Sequence, residues 1–575
     1  MKRSILGLFL LLWSGLVGCS TTVSSPPDAV RIRWARDPEN LDPLIVKTSG
    51  ALEVISLLHC SLLQPSEAKG EFLPWLAQEF PSVKRLGDSL MLVTYQIRPE
   101  ATWDNGTPVS ASDVVFTVKL MHCQGLPIEL AQARFGFVED VIPTPGSPRR
   151  FSLLCRGQSI DYIRSSGDFS ILPEYALDPK HTLRAVSVAE MHKPLPVVQA
   201  FAKRYLAAQF SRHPERVPGC GPYNLASWQP GRQLTLTRKP KWWADRVSPQ
   251  PPQLQAYPHG INYQIIPDAA TAVLALRRGN IDLYPLIPAT EFARLQQSPA
   301  DRRHLQFLTA DSYEFLAAHF NTRAPLLQDR LTRQALTHLF NVPALIQATQ
   351  LGHAYASVGL ISPRVKQFYN DSLPLLKYSP EQTAQLLRQA GWQQQPERNW
   401  SRITEAGTQQ QLRLSVSYRA GEPSFETAAL QFQAAAAAVG IPIELRPTEA
   451  SLLNRQQQQG STQISLLNLS GNPFAYDFTP ILHSQSTGLY NISGFGTPSS
   501  DRLIEAIAKE DNPVAKARLL RRFQQLIYEE RPLTVLYFLQ YRIAAARRLG
   551  KIAVSGLKPG YIVTSIHSDS VAQER

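Results

Sequence analysis

Residues 261–283 read Ile-Asn-Tyr-Gln-Ile-Ile-Pro-Asp-Ala-Ala-Thr-Ala-Val-Leu-Ala-Leu-Arg-Arg-Gly-Asn-Ile-Asp-Leu, and this stretch decides the fold class. Ile261, Tyr263 and Ile265 alternate with Asn262 and Gln264, the period-two pattern of a half-buried strand. Asp268 then stands as an N-cap before a helix whose inner face is Ala269, Ala272, Val273 and Leu276. Arg277 and Arg278 fall in the last turn, where cations offset the partial negative charge of the terminal carbonyls, and Gly279 closes it. Ile281-Asp282-Leu283 restarts a strand. Strand, helix and strand in this order make a β-α-β unit, so the chain is α/β.

The same signals recur on either side. Ser379-Pro380-Glu381-Gln382 predicts a helix start with a capping box, Leu386, Leu387 and Ala390 facing inward and Gly391 ending it. A third helix is expected after Ser110-Ala111-Ser112-Asp113, with Val114, Val118 and Met121 on one face, behind a tight Asp104-Asn105-Gly106 turn. The polar tract 455–459 reads as a solvated loop or helix face, and no internal repeat is present.

The N-terminus carries an export signal. Lys2 and Arg3 precede an apolar run over residues 5–17, shorter than the roughly 20 residues of a membrane-spanning helix. Leu16-Val17-Gly18-Cys19 and the Ser/Thr/Pro-rich residues after it resemble a bacterial lipobox, which implies a signal peptide over 1–18, a diacylated Cys19 and a tether over 19–29. Two acyl chains suffice for stable anchoring. A chain of 575 residues exceeds one hydrophobic core, so several lobes are expected. The formal charge of +13 falls to +11 without Lys2 and Arg3, and the basic residues are dispersed, with pairs such as Arg521-Arg522 but no block. That distribution predicts a solvated basic surface near anionic lipid rather than a nucleic-acid partner. Beyond Cys19, the four cysteines Cys60, Cys123, Cys155 and Cys220 show no metal or redox spacing. In an oxidising compartment they allow two disulfides in three connectivities, with Cys123–Cys155 the pairing put forward.

Catalytic signatures are missing. No nucleophile elbow, zinc-protease helix or phosphate loop occurs, and the Gly-x-Gly pairs at 219–221 and 494–496 lack the third glycine of a dinucleotide fingerprint. His483 beside Ser484 has no identifiable acid partner, and the 12 histidines do not pair at ligand spacing. No metal, no cofactor and no enzymatic activity are therefore expected.

Read in order, the blocks resemble the family 5 extracellular solute-binding proteins. Arg33-Trp34-Ala35 to Leu41-Asp42-Pro43 is similar to that family's first strand and Leu-Asp-Pro turn. Thr102-Trp103-Asp104-Asn105-Gly106-Thr107-Pro108-Val109-Ser110-Ala111-Ser112-Asp113-Val114 is similar to its Trp/Asn-Gly segment. Gly219-Cys220-Gly221-Pro222-Tyr223, with Trp228 and Trp242-Trp243, resembles another block, cysteine standing where a small hydroxyl residue is usual. Residues 261–283, Phe320-Asn321-Thr322 with Ala335-Leu336, residues 384–392 and Val439-Gly440-Ile441 complete the set.

The resemblance implies a bilobed periplasmic-binding-protein type II fold with an extra inserted domain. One lobe would comprise 30–65 and 205–290, the inserted domain 66–204, the second lobe 291–529, and a C-terminal return 530–575. It also implies a monomeric carrier that closes on a short peptide, held at a membrane in the periplasm and delivering to ABC permease subunits. Where peptide carriers of the family set a tryptophan and an aspartate against the peptide ammonium, this chain has Leu469 and Asn472, between Asn468 and Asp477. Asn472 carries no charge, so Asp477 is the expected anion, with helix capping as its alternative role. A metal chelate, haem, an opine or a sugar-like solute stays open, as does a sensory or envelope protein on the same fold. A carboxylate solute would favour cleft arginines such as Arg413 or Arg419.

Overall fold

The computed structural model describes residues 29–567 except 46–47, 68–69, 397–398, 405–406, 472, 475 and 488–489. The expected signal peptide, Cys19, the tether up to residue 28 and Asn472 lie outside the described residues.

Residues 261–283 form the strand, helix and strand that their pattern predicts. A strand Gly260–Ile265 leads to the helix Ala269–Arg277, capped by Asp268, whose carboxylate accepts from Thr271 N at 2.7 Å. Gly279 adopts φ +67°, a conformation that favours glycine, and a short strand Leu283–Pro285 follows. One detail differs: Asn262 is buried, not solvent-facing, and donates to Thr235 Oγ1 at 2.8 Å. The strand lies between Val30–Trp34 and Gln233–Arg238 within the sheet, and such interior strands are covered on both faces. The Asp282 carboxylate, 1% exposed, accepts from Arg31 N, Arg31 Nε and Arg548 Nε at 2.8–2.9 Å, tying the first strand to the C-terminal segment.

Among the described residues the largest sheet has eleven strands. Its order is Ile443–Thr448, Leu414–Arg419, Ile464–Ser470, Leu305–Phe320, Leu533–Ala546, Leu283–Pro285, Val30–Trp34, Gly260–Ile265, Gln233–Arg238 and Tyr223–Gln229, with Ala354–Tyr355 off the path. Leu305–Phe320 and Leu533–Ala546 belong to both lobes, pairing with Ile464–Ser470 at one end and, through Leu533–Ala546, with Leu283–Pro285 at the other. In the second lobe Leu316, Ala318 and Phe320 face one core while Phe315 and Ala317 face another, the alternation a doubly covered strand requires. A separate antiparallel sheet, ordered Ser82–Leu86, Leu90–Gln96, Ser147–Arg156 and Val138–Thr144, forms the inserted part. The helix Ala111–Met121 packs on it, started by a capping box between Ser110 and Asp113.

The bilobed α/β architecture is thus present. The Cys123–Cys155 bridge is not: among the described residues Cys60, Cys123, Cys155 and Cys220 are all buried free thiols, and the Cys123 thiol is directed at Gln124 O and the Cys155 thiol at Leu153 O. The two thiols end on different elements, one past the helix Ala111–Met121 and one within the strand Ser147–Arg156, each turned to a local carbonyl.

A buried carboxyl sits under the first strand. Glu53, on the helix Ser49–Leu58, accepts from Tyr561 OH at 2.6 Å, Tyr263 OH at 2.9 Å and Trp34 Nε1 at 3.3 Å, with Trp34 stacked on Tyr263. Burial outweighs these three donors and raises its pKa from 4.5 to about 7. The folded chain therefore keeps a proton that the unfolded chain releases above pH 4.5. Stability from this group is full below that value and is lost as pH rises to about 7, by about 3 kcal/mol. Glu53→Gln keeps the shape without the titration, so its thermal midpoint should fall less than that of the parent between pH 4.5 and pH 7. An equal fall in the two proteins, followed by calorimetry, contradicts the assignment.

Candidate functional site

The strand directions place the site. Val30–Trp34, Gly260–Ile265 and Leu283–Pro285 run parallel toward the second lobe, and Leu414–Arg419, Ile443–Thr448 and Ile464–Ser470 run parallel toward the first. Their C-terminal ends face each other across the two long strands. In open α/β sheets ligands bind at the carboxyl ends of strands, so the cleft between these ends is the candidate binding site.

Arginines gather at this cleft. Arg33, buried, donates to Ile266 O at 2.8 Å and Pro267 O at 2.9 Å and lies 4.8 Å from the Tyr284 ring centre. Burial lowers its pKa, while Tyr284, Asp268 and Glu422 work in the opposite sense. Arg36, just past the first strand, reaches Glu422 of the second lobe at 3.4 Å, and Arg419 pairs with the same carboxylate. Arg419 ends its strand with Nε buried and without a hydrogen-bond partner, and the Tyr284 hydroxyl is likewise buried and unpartnered. Arg36 and Arg419 thus share the single carboxylate of Glu422, while Arg33 is engaged by backbone carbonyls, an arrangement that suits an added anionic group. Arg413 precedes the same strand at its far end and is exposed, away from the cleft.

A second polar group lies where the long strands bend. The register between them shifts at Asp311/Phe315 and again at Leu316/Ala317, and Ser312 Oγ donates to Leu539 O at 2.7 Å inside the first irregularity. Bulges bend and twist strands, so the two long strands depart from a regular ladder here. Glu314 accepts from Lys558 Nζ at 2.8 Å and Tyr541 OH at 3.0 Å; Asp311 accepts from Tyr355 OH at 2.8 Å and Gln540 Nε2 at 2.9 Å. Arg364 of the second lobe lies 3.5 Å from Glu67, whose other oxygen accepts from Ser555 Oγ.

The segment read from sequence as the ammonium site leads to a contact between lobes. Asn468 is exposed at the end of Ile464–Ser470, and Leu469 packs partly buried on the second-lobe core. Asp477 Oδ1 accepts from Thr479 N at 2.9 Å, a local turn bond just ahead of the short helix Thr479–Leu482, whose N-cap is Phe478. Between them, Phe474 packs edge-on against Phe72 at 5.5 Å. Arg164 Nη1 donates to Phe474 O at 3.1 Å, and Tyr476 N donates to Asp161 Oδ2 at 3.1 Å. Lys516 Nζ donates to the same Asp161 oxygen at 2.9 Å, an ion pair with side chains 6% and 3% exposed. Asp161, Arg164 and Lys516 carried no sequence signal, because their partners lie more than 300 residues away.

The Trp/Asn-Gly block is scaffold. Trp103 Nε1 and Ser110 N both donate to Asp113, whose other oxygen accepts from Glu174 N, and Gly106 turns with φ +81°.

Comparison with known proteins agrees with this architecture. The sequence model for "Bacterial extracellular solute-binding proteins, family 5 Middle" matches residues 71–490. The oligopeptide-binding protein AppA of Bacillus subtilis is 22% identical over 477 residues, covering 81% of this chain and 79% of AppA. The nickel-binding periplasmic protein of Escherichia coli is 23% identical over 474 residues, covering 80% and 79%. The solved structure of Bacillus subtilis AppA with a nonapeptide superposes with a TM-score of 0.74 at 19% identity, covering 94% of this chain and 98% of that one. With facing strand ends, two long bulged strands between them and a family match over residues 71–490, the chain belongs to the family 5 bacterial extracellular solute-binding proteins, carriers for ABC import and not enzymes.

Proposed function

We propose that this chain is a monomeric, lipid-anchored carrier that captures a short peptide between its lobes and hands it to ABC permease subunits. The single observation that carries the peptide reading is the Nε edge of Arg419, buried at the facing strand ends and without a protein acceptor. A C-terminal carboxylate is a planar anion that a guanidinium edge receives, and a low-dielectric cleft strengthens that bond. Asp477, with Asn468, Leu469 and Asn472 on the segment leading to it, serves the peptide ammonium; its Oδ1 is engaged by Thr479 N. Peptide-binding relatives support the same reading.

A nickel-binding relative favours a second reading, a carboxylate chelate in the same cleft. Among the described residues no group of three His, Cys, Asp or Glu side chains is placed to hold a metal directly, so a metal would enter already chelated. Native mass spectrometry of residues 20–575 from cells grown in peptide-rich medium separates the two. Co-purifying masses of di- to pentapeptides, released on denaturation, are expected; one non-peptide mass contradicts the peptide reading. Arg419→Ala should weaken peptide affinity about 30-fold or more by calorimetric titration, while Arg413→Ala leaves it unchanged. Equal affinity of Arg419→Ala and parent removes the arginine from the site.

The anchor follows from Cys19, in the lipobox-like end of the signal peptide, and places the carrier in the cell envelope on the periplasmic side of a membrane. Radiolabelled palmitate should enter the parent and not Cys19→Ser, which should leave the membrane fraction. Equal labelling of both contradicts the assignment.

A further inference from the structure

Cys60 follows the helix Ser49–Leu58, where the chain leaves the first lobe for the inserted sheet, and Cys220 lies where it returns before the strand Tyr223–Gln229. Their backbones are pinned together from several sides. Gly221 N donates to Leu58 O at 2.9 Å, and a Cβ on Gly219 or Gly221 would collide with the Leu57–Leu58 backbone. Trp242 Nε1 and Trp243 Nε1 both donate to Cys220 O, at 2.9 Å and 2.7 Å, and Lys239 Nζ donates to Gly219 O at 2.8 Å. Ile171 N donates to Cys60 O at 2.9 Å. Both cysteines are free thiols, each 1% exposed, and Cys220 is the first neighbouring side chain, after burial itself, to act on the Cys60 thiol.

The geometry points to a disulfide between Cys60 and Cys220 in the exported chain, closing residues 61–219 at their neck. Each thiol gives up one proton and one electron, the S–S bond forms, and both electrons and both protons pass to an incoming disulfide, which leaves as two thiols. The bond is structural rather than catalytic. Reactive cysteines are exposed and thiolate-like, whereas burial, and then Cys220 itself, push the Cys60 thiol well above its usual range. The neighbouring His59 supplies no proton relay, since its ring nitrogens have no hydrogen-bond partner and burial holds it neutral with a pKa of about 3. The bridge forms before these segments pack and is then shielded. It closes a long loop, the case in which a cross-link most restricts the unfolded chain.

The pairing rests on the export proposed above and is tested apart from it. The full chain is recovered from the envelope without reductant, denatured in iodoacetamide and mapped by mass spectrometry, which also reads whether residues 1–18 have been removed. In the processed chain, Cys123 and Cys155 should be alkylated while Cys60 and Cys220 appear as one linked peptide pair that reductant separates. Reductant should also lower the thermal midpoint of the parent by several degrees and leave that of Cys60→Ala/Cys220→Ala unchanged. Processed chain with Cys60 and Cys220 both alkylated, or either linked to Cys123 or Cys155, overturns the proposal.

Discussion

The pairing of Leu305–Phe320 with Leu533–Ala546 is the constraint on which the rest depends. Two antiparallel strands that each run through both lobes give the molecule one continuous sheet and a single waist. The ladder stays paired from Leu305/Ala546 to His319/Leu533, yet its register slips twice near the middle. The strands are held at their ends by core packing and depart from a regular ladder at the bulges, where Ser312 Oγ donates to Leu539 O and the Glu314 and Asp311 carboxylates accept from Tyr541 and Gln540. Because the outer strands of both lobes run toward this waist, their carboxyl ends, with Arg33, Arg36 and Arg419, face a common cleft.

Contacts across the cleft differ in weight. Arg36 and Glu422 are 53% and 36% exposed, and an exposed pair contributes about 0–1 kcal/mol. Lys516 and Asp161 are nearly fully buried, and Tyr476 N supplies a further donor to the same carboxylate. Removing one partner of such a buried pair costs about 3–5 kcal/mol, because the other charge is left without compensation. Docking of Phe474 and Tyr476 on the inserted part is thus the firmer contact between the lobes, and the Arg36–Glu422 pair the weaker one.

Local chemistry made the scaffold legible. The cap at Asp268, the serine start at Ser379 and the glycine stops at Gly279 and Gly391 depend only on neighbours a few residues away, and each was readable. The binding cleft was not, because it is assembled from strand ends hundreds of residues apart. Arg419 could be suspected but not placed; Asp161 and Lys516 left no trace in the local pattern. Asn262 was misread because alternation shows what one face prefers, not whether the other is also covered. The cysteines show the same limit: Cys123 and Cys155 are close in sequence, whereas the backbone around Cys220 is brought against the end of the helix before Cys60 only by the neck of the inserted part.

The central claim is that the lobes close about the bulged strands onto a solute held at the facing strand ends. Small-angle X-ray scattering of the processed chain, stripped of solute and then saturated with a peptide shown to bind, tests it most directly. The account predicts a smaller radius of gyration in the saturated protein. Saturation with no change in the radius would contradict it.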